Sequence, residues 1–438
     1  MTFKTLATTL LAATLVVGTQ IPLAAQAVKE ADAKFEIPAT DEGLPGSGPL
    51  RRYDWFRDLW KTNRSAWAKQ VKEDQNAVVF LGDSITQGWG DDLGGSFGDL
   101  KVANRGISGD TTRGMLVRLQ DDVLSLNPRA VVLLMGTNDL EEGAEPKTIA
   151  DNLKLIVAAL KKHNAKMPIV LCHVFPSSEA QSRPAEKIKQ INELYAAAVK
   201  GDPQIVVLET WLLFAAKDGN AKKEEFPDLL HPNEAGYKKW AASVRPIFAT
   251  LGYVETQPDD FKLEPGFVSL FNGKDLSGWG FRAVMDPKGK SNQKAVSFDG
   301  KKTSDDGRYV AINDRLVVTT PAEGRRVQQL WMTQEFPRDF VLKLEFRATP
   351  FADSGVFIRS PQLQCRDYLL AGPYTELKKY APQEWNELVV TVKEKVAHCT
   401  CNGEVLSEAL EVPATGGIGL EGDRGQMEYR RIRIKELP

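Results

Sequence analysis

One serine carries the clearest chemical suggestion in this chain. Ser84 lies in residues 78–90, VVFLGDSITQGWG. The apolar run Val78-Val79-Phe80-Leu81 ends at Gly82-Asp83-Ser84 and passes into a helix start. A strand of this kind delivers a hydroxyl to the carboxyl edge of a sheet, where open α/β sheets bind their ligands. A serine hydroxyl is a weak nucleophile and needs a base and donors for the oxyanion it generates. Without them Ser84 is a helix N-cap or a turn residue.

Polar and glycine residues follow the later apolar runs too. They are Asn104-Arg105-Gly106-Ile107-Ser108-Gly109-Asp110-Thr111-Thr112 and Gly136-Thr137-Asn138-Asp139, and near the end of the domain sits Asp228-Leu229-Leu230-His231-Pro232-Asn233. A parallel sheet gathers such segments at one edge. The chain has four histidines. His163 ends a Lys-rich helix, His173 ends a strand where it either lines a pocket or packs, and His398 sits in a strand of the other half. By residue type alone His231 is a base or a loop histidine, Asn138 a donor or a turn residue, and Asp228 an acid partner or a helix cap. No His/Cys/carboxylate cluster has metal-ligand spacing and no Gly-rich loop cradles phosphate, so neither metal nor cofactor is expected.

The elements that must position these groups alternate from 77 to 250. Runs at 77–82, 130–136, 168–174 and 205–208 read as buried parallel strands, with a less regular one at 100–104. Segments 111–126, 147–163, 184–200 and 233–250 read as helices. This order predicts a three-layer α/β/α sandwich with a parallel sheet. Residues 51–73 add a helix that stacks Phe56, Trp60 and Trp67 on one face, a core face or an aromatic substrate platform. Residues 28–50 read as a loose leader and 254–263 as a linker. Beyond it the period becomes two. Phe340, Leu342, Leu344 and Phe346 alternate with polar or smaller neighbours, as do Val390 and Val392, and Ile432 and Ile434. Asn402-Gly403 is a type I′ hairpin signal. Residues 264–438 therefore predict an all-β jelly-roll sandwich.

With 438 residues the chain can hold two or three domains, and its composition is that of a globular protein. Residues 264–438 hold 25 Lys/Arg against 24 Asp/Glu and the remainder 31 against 34, which excludes a basic nucleic-acid-binding half. Lys4, the short apolar stretch 6–18 and Ala25-Gln26-Ala27 read as a signal peptide cleaved near Ala27, so the mature protein is expected to be exported without a membrane span. Four cysteines are too few to be the scaffold. Cys172 reads as a buried thiol. Cys399 and Cys401 share a strand face, and either could pair with Cys365.

GDSITQGWG, NRGISGDTT, GTND and DLLHP, in that order, resemble the four blocks of the SGNH (GDSL-type) hydrolases over about residues 75–250. The spellings SGDTT and GTND are similar to the branch containing platelet-activating-factor acetylhydrolase-like esterases and carbohydrate esterases. The resemblance implies Ser84 as nucleophile, His231 as general base and Asp228 as the group that orients it. It implies an oxyanion hole from the backbone N–H of Ser84 and Gly109 and the side-chain amide of Asn138. The chemistry agrees: a neutral imidazole takes the serine proton and a carboxylate fixes its tautomer. Glycine permits close approach at 109, and an asparagine amide donates without adding charge.

Residues 266–279 (GFVSLFNGKDLSGW), with DSGVFIR at 353–359, Glu384-Trp385-Asn386, Cys401-Asn402-Gly403-Glu404 and Arg431-Ile432-Arg433-Ile434, resemble the 3-keto-disaccharide hydrolase family, a concanavalin-like jelly roll. The resemblance spans nearly all of 264–438 and implies a link to sugars. That family often has a Gln-x-His-Gly-like element before the last strand, whereas this chain has Glu421-Gly422-Asp423-Arg424-Gly425, so binding is expected rather than cleavage. Arg359, Gln364, Asp367 and Glu421 carry planar polar groups suited to sugar hydroxyls. Trp279, Trp331 and Trp385 could stack on sugar faces or fill the core. The resulting expectation is an exported serine ester hydrolase that deacetylates carbohydrate, its partner an acylated small molecule or glycan. The alternatives are a lipid or short-chain acyl esterase, a 3-keto-glycoside hydrolase or lyase acting through the second half, and a non-enzymatic sugar-binding protein.

Overall fold

A computed structural model describes residues 35–254, 260–285, 291–319, 328–367 and 372–438. The expected signal peptide, the first part of the leader and the middle of the expected linker lie outside the described residues.

The first half begins with helix α1 (Asp54–Gln70). Then follow β1 (Val78–Gly82), α2 (Ser84–Gln87), β2 (Val102–Gly106), α3 (Thr112–Asp122), β3 (Ala130–Leu133), α4 (Thr137–Glu141), α5 (Pro146–His163), β4 (Ile169–Cys172), α6 (Ala185–Val199), β5 (Ile205–Leu208), α7 (Thr210–Phe214) and α8 (Glu234–Thr250). The five strands are parallel, in the order β2-β1-β3-β4-β5. Strands β1, β3, β4 and β5 are apolar on both faces because both faces are covered, whereas β2 carries Asn104 and Arg105. Val79, Leu81, Val131, Leu133, Ile169 and Leu171 pack under α3, α5 and α6. Val78, Phe80, Val132 and Val170 pack under Trp240, Val244 and Phe248 of α8. Phe56 and Trp60 of α1 bury against Ile107 in a smaller cluster, so that helix face is core. In this strand order the chain leaves β1 toward β2 and leaves β3 toward β4. The resulting switch point opens a crevice beyond the carboxyl ends of β1 and β3.

The second half is antiparallel. Its strands are β6 (Val268–Ser269), β7 (Trp279–Phe281), β8 (Val284–Met285), β9 (Ser291–Gln293), β10 (Val296–Ser297), β11 (Tyr309–Ile312), β12 (Arg315–Val318), β13 (Leu330–Met332), β14 (Phe340–Ala348), β15 (Asp353–Arg359), β16 (Gln362–Arg366), β17 (Asn386–Lys393), β18 (Val396–Cys401), β19 (Glu404–Glu411), β20 (Gly417–Arg424) and β21 (Met427–Glu436). One sheet runs β10-β7-β13-β20-β15-β16, the other β11-β12-β21-β14-β17-β18-β19 with β6 beside β21. Their inner faces form one core that includes Phe340, Leu342, Leu344, Phe346, Val390, Val392, Ile432 and Ile434. Asn402 and Gly403 both have positive φ in the β18–β19 hairpin, as a type I′ turn requires.

Two features differ from the sequence-based expectation. Residues 35–50 are not a loose leader where they are described. Ile37 and Leu50 are buried beside Phe56 and Trp60, the Ser47 backbone exchanges hydrogen bonds with the Asn152 side chain, and Arg113 pairs with Asp41. Cys365, Cys399 and Cys401 do not pair: all four cysteines are buried free thiols. Cys399 and Cys401 do share the core face of β18.

The two halves meet at the last turn of α8. Buried Gln426 donates to the Pro246 carbonyl and to Thr250 Oγ1, both at 3.0 Å, and Asn313 donates to the Ala249 carbonyl. Beneath them the fully buried Glu428 carboxylate is held by Arg315 and Arg347, so the buried charge is paired.

Candidate active site

Ser84 is the first residue of α2, but it is not the cap. Asp83 fills that position, accepting from the Ile85 backbone N–H at 2.9 Å. The Ser84 hydroxyl is therefore left to face His231, whose Nε2 lies 2.9 Å from Ser84 Oγ. The other ring nitrogen, Nδ1, lies 2.6 Å from Asp228 Oδ2. Asp228 Oδ1 also accepts from the backbone N–H of Leu230 at 3.0 Å and of His231 at 2.7 Å. These bonds fold residues 228–231 into a tight turn with Leu229 at φ +63°, a left-handed position that costs a non-glycine residue energy and recurs at functional sites. Partial burial raises the Asp228 carboxyl, but the His231 N–H and imidazole and the Leu230 N–H outweigh it and hold the group below the usual carboxylate range.

The segments after β2 and β3 are locked together. Asp139 accepts from the backbone N–H of Thr112 at 2.9 Å and its hydroxyl at 2.6 Å. Asn138 Nδ2 donates to the Asp110 carbonyl at 3.0 Å. From α3, Arg118 pairs with Asp110 at 2.7 Å and donates to the Gly82 and Arg105 carbonyls near the ends of β1 and β2. Burial raises the Asp110 carboxyl above its usual range, with the Arg118 guanidinium pulling against it. Burial also lifts Asp83 and Asp139 to about 6. Gly109 has φ +84°, a left-handed backbone that favours glycine, and a Cβ there would stand 2.7 Å from both Arg51 Nη1 and Trp55 Cη2. Ser84, His231 and Asp228 are thus in direct contact, and Asn138 is tied to the carbonyl of Asp110, the residue after Gly109.

Three supporting residues carry no sequence signal of their own. All lie in the loop after β4. Ser177 Oγ donates to the Leu229 carbonyl at 2.8 Å and Gln181 to the Asp228 carbonyl at 2.9 Å. Arg183, only 2% exposed, donates to Asn138 Oδ1 at 2.9 Å and Glu141 Oε2 at 2.8 Å. His173, at the end of β4, packs: its Nδ1 lies 2.8 Å from Glu209.

The sugar-contact candidates of the second half separate. Arg359 is corrected to a structural brace, because it is 2% exposed and donates to the carbonyls of Phe336, Arg338, Glu394 and Pro413. Asp367 is also structural, being fully buried and accepting from the Phe351 N–H and the Gln383 amide. Trp385 is half-buried with the Arg347 and Arg430 guanidinium groups over its ring. Gln364 and Glu421 do come together on the outer face of the β7–β20 sheet. Glu421 accepts from Gln329 and Gln362, and Gln364 donates to Gln362. Trp331 lies on that face too, 5.1 Å from the Phe357 ring and under Arg282. Trp279 is in the core, its indole N–H on the Leu270 carbonyl. Among the described residues no group of three or more His, Cys, Asp or Glu could hold a metal, and no helix is long and apolar enough to cross a membrane.

Residues 80–239 match the GDSL-like Lipase/Acylhydrolase family. Residues 266–435 match the 3-keto-alpha-glucoside-1,2-lyase-like domain. Platelet-activating factor acetylhydrolase IB subunit alpha1 of Rattus norvegicus is 30% identical over 201 residues, 44% of this chain and 84% of that protein. The Homo sapiens subunit is 29% identical over 204 residues, 45% of this chain and 86% of that protein. Among solved structures, a GDSL-like lipase from Bacteroides thetaiotaomicron is 26% identical with a TM-score of 0.38, covering 44% of this chain and 97% of its own. The lipase/acylhydrolase of Enterococcus faecalis is 22% identical with a TM-score of 0.35, covering 42% and 99%. The chain belongs to the GDSL-like lipase/acylhydrolase family and is a hydrolase of ester bonds, fused to a 3-keto-disaccharide hydrolase-type β-sandwich.

Proposed function

We propose that this chain is an exported serine esterase that removes acetyl groups from carbohydrate. One observation carries the catalytic part: a continuous relay from Ser84 Oγ through the His231 imidazole to Asp228, with steps of 2.9 and 2.6 Å. In this reading Nδ1–H of His231 donates to Asp228, which leaves Nε2 free to take the Ser84 proton as Oγ attacks the ester carbonyl. The oxyanion is held by the N–H groups of Ser84 and Gly109 and by Asn138 Nδ2. The imidazolium returns its proton to the departing alcohol, and water activated by His231 then releases the acid. Asp228 serves this cycle as an anion, which its lowered carboxyl supports.

A short acyl group is favoured by the relatives' name, acetylhydrolase. Carbohydrate is favoured by the 3-keto-alpha-glucoside-1,2-lyase-like domain and by the Gln364 and Glu421 face, which offers amides and a carboxylate. In this reading the second half binds saccharide without cleaving it, since His398 faces solvent beside Glu408. In this reading the first domain takes in the packed residues 35–50 and ends at 253, residues 264–438 are the second, 254–263 join them, and export follows cleavage near Ala27. The second reading, an acetyl ester of a lipid, rests on the platelet-activating factor named in the relatives. Acetate release from acetylated oligosaccharides, p-nitrophenyl acetate and an acetylated phospholipid tests both. The Ser84→Ala protein should lose on the order of 10⁶ in kcat. Near-normal turnover in that folded variant refutes the catalytic reading, and release from the phospholipid alone refutes the carbohydrate reading.

A further inference from the structure

We propose that Tyr53 and Trp55 form the platform on which the sugar ring of the substrate stacks during ester hydrolysis. The inference rests on the carbohydrate-esterase reading and supplies the subsite that the catalytic groups by themselves lack.

Among the described residues, Tyr53 and Trp55 are the only Phe, Tyr or Trp residues that are more than half exposed, at 53% and 52%. Helix α1 turns Phe56 and Trp60 into the core, so the two rings before them are left on the outside. Their planes lie within 13° of parallel, with centroids 6.3 Å apart. Their place is specific. The Trp55 ring edge covers Gly109, where a Cβ would meet Cη2 at 2.7 Å. Gly109 is the proposed oxyanion donor, so this ring stands beside the proposed oxyanion site.

The mounting is an ion cluster. Arg51, nearly buried, pairs with Glu142 at 2.7 Å and with Glu141. Tyr53 Oη donates to Glu142 at 3.3 Å. Glu141 is also bound by Arg183, which holds Asn138. One ion cluster therefore fixes the aromatic segment relative to the oxyanion site. That segment lies outside residues 80–239 that match the acylhydrolase family.

The chemistry of the surface selects its occupant. An acyl chain needs an enclosed apolar pocket to leave water. Two open rings flanked by a phenol and carboxylates suit a flat ring with an apolar C–H face and hydroxyl edges, which is a pyranose. Aromatic stacking of this kind contributes about tenfold in affinity per ring.

The test uses the full chain and two acetyl esters, an acetylated xylo-oligosaccharide and ethyl acetate, which carries no ring. Trp55→Ala should lower kcat/KM on the saccharide about tenfold more than on ethyl acetate, mainly through KM, and Trp55→Phe should restore most of the difference. The deacetylated oligosaccharide should inhibit ethyl acetate hydrolysis about tenfold more weakly in Trp55→Ala. Equal losses on both esters make Trp55 structural and overturn the proposal, as does an unchanged saccharide kcat/KM in an otherwise active variant. A wild-type enzyme that cleaves ethyl acetate but no acetylated saccharide overturns the carbohydrate reading and the platform together, whereas cleavage of both with Trp55→Ala unaltered overturns the platform alone.

Discussion

Replacing Arg183 tests how the oxyanion site is held. The Asn138 carboxamide is bound on two sides, with Oδ1 on Arg183 Nη2 at 2.9 Å and Nδ2 on the Asp110 carbonyl at 3.0 Å. One N–H remains for the oxyanion. Deleting such a donor outright, as in Asn138→Ala, should cost about 10²–10³ in kcat. Arg183→Met keeps the donor but removes a buried hydrogen bond to a charged group, an interaction of about 1.5–3 kcal/mol. The Asp110 carbonyl still restrains the amide, so part of that energy is retained. We expect kcat to fall by about ten- to thirtyfold, or roughly 1.4–2 kcal/mol, with KM nearly constant because the oxyanion exists only in the transition state. Arg183→Lys should recover part of the loss, since an ammonium keeps the charge but not the planar fork. The assay is steady-state hydrolysis of p-nitrophenyl acetate by Arg183→Met, Asn138→Ala and the double variant, with circular dichroism confirming the fold. If Arg183 acts through Asn138, its replacement in the Asn138→Ala background should cost less than about threefold, because neighbours that act together are not additive. The full ten- to thirtyfold loss in that background would refute the reasoning. It would place the effect in Gln181, whose carbonyl Arg183 also binds and whose amide holds Asp228.

Asp228→Asn should reduce kcat by about 10⁴ while leaving the turn folded, because an amide presents the wrong partner to Nδ1; a loss under tenfold in p-nitrophenyl acetate hydrolysis would contradict the relay. The Glu264 carboxyl is held down at about 2 by hydrogen bonds from Arg433, with Lys343 assisting. A lowered carboxyl stabilises the fold above its unfolded value of about 4.3 and loses that contribution as pH falls toward the folded value. Glu264→Gln should therefore melt below the wild type at pH 7, with the difference narrowing between about pH 4.3 and 2; a gap constant with pH would refute this. Residues 35–254 expressed alone should retain turnover of a small ester. The β-sandwich touches the C-terminal turn of α8, about 25 Å along that helix from the end next to His231, and a folded but inactive fragment would show that the sandwich completes the site.

Local pattern and tertiary accident can be separated residue by residue. Most of the buried parallel strands were legible because an element covered on two faces is apolar throughout, as in Val78-Val79-Phe80-Leu81, while β2, with Asn104 and Arg105, read as less regular. The sandwich was legible because alternation such as Phe340 to Phe346 has one face inside and one outside. Ser84, Gly109 and Asn138 were legible for a related reason: polar and glycine residues placed just after buried strands fall at one edge of a parallel sheet, whereas Asp228 and His231 follow no strand and were legible through the DLLHP block.

What the sequence could not decide was which of several polar residues each donor would meet. Asp83 and Ser84 are both good caps, and only the folded turn gives the cap to Asp83 and leaves Ser84 to His231, 147 residues away. Ser177, Gln181 and Arg183 follow no period, and their partners lie 45–52 residues off. Arg359 and Asp367 have the side chains of sugar ligands, yet unpaired carbonyls and a loop N–H claim them first, because buried polar groups must be satisfied. Cys365 could have met Cys399 or Cys401 on paper, but all three stay free in the core. The same limit governs the aromatics of the first helix. Helical spacing alone determined that Phe56 and Trp60 share a face, but which face turns inward depends on Ile37, Leu50 and Ile107 arriving from elsewhere in the chain. That long-range packing is what leaves Tyr53 and Trp55 outside, with Trp55 beside Gly109.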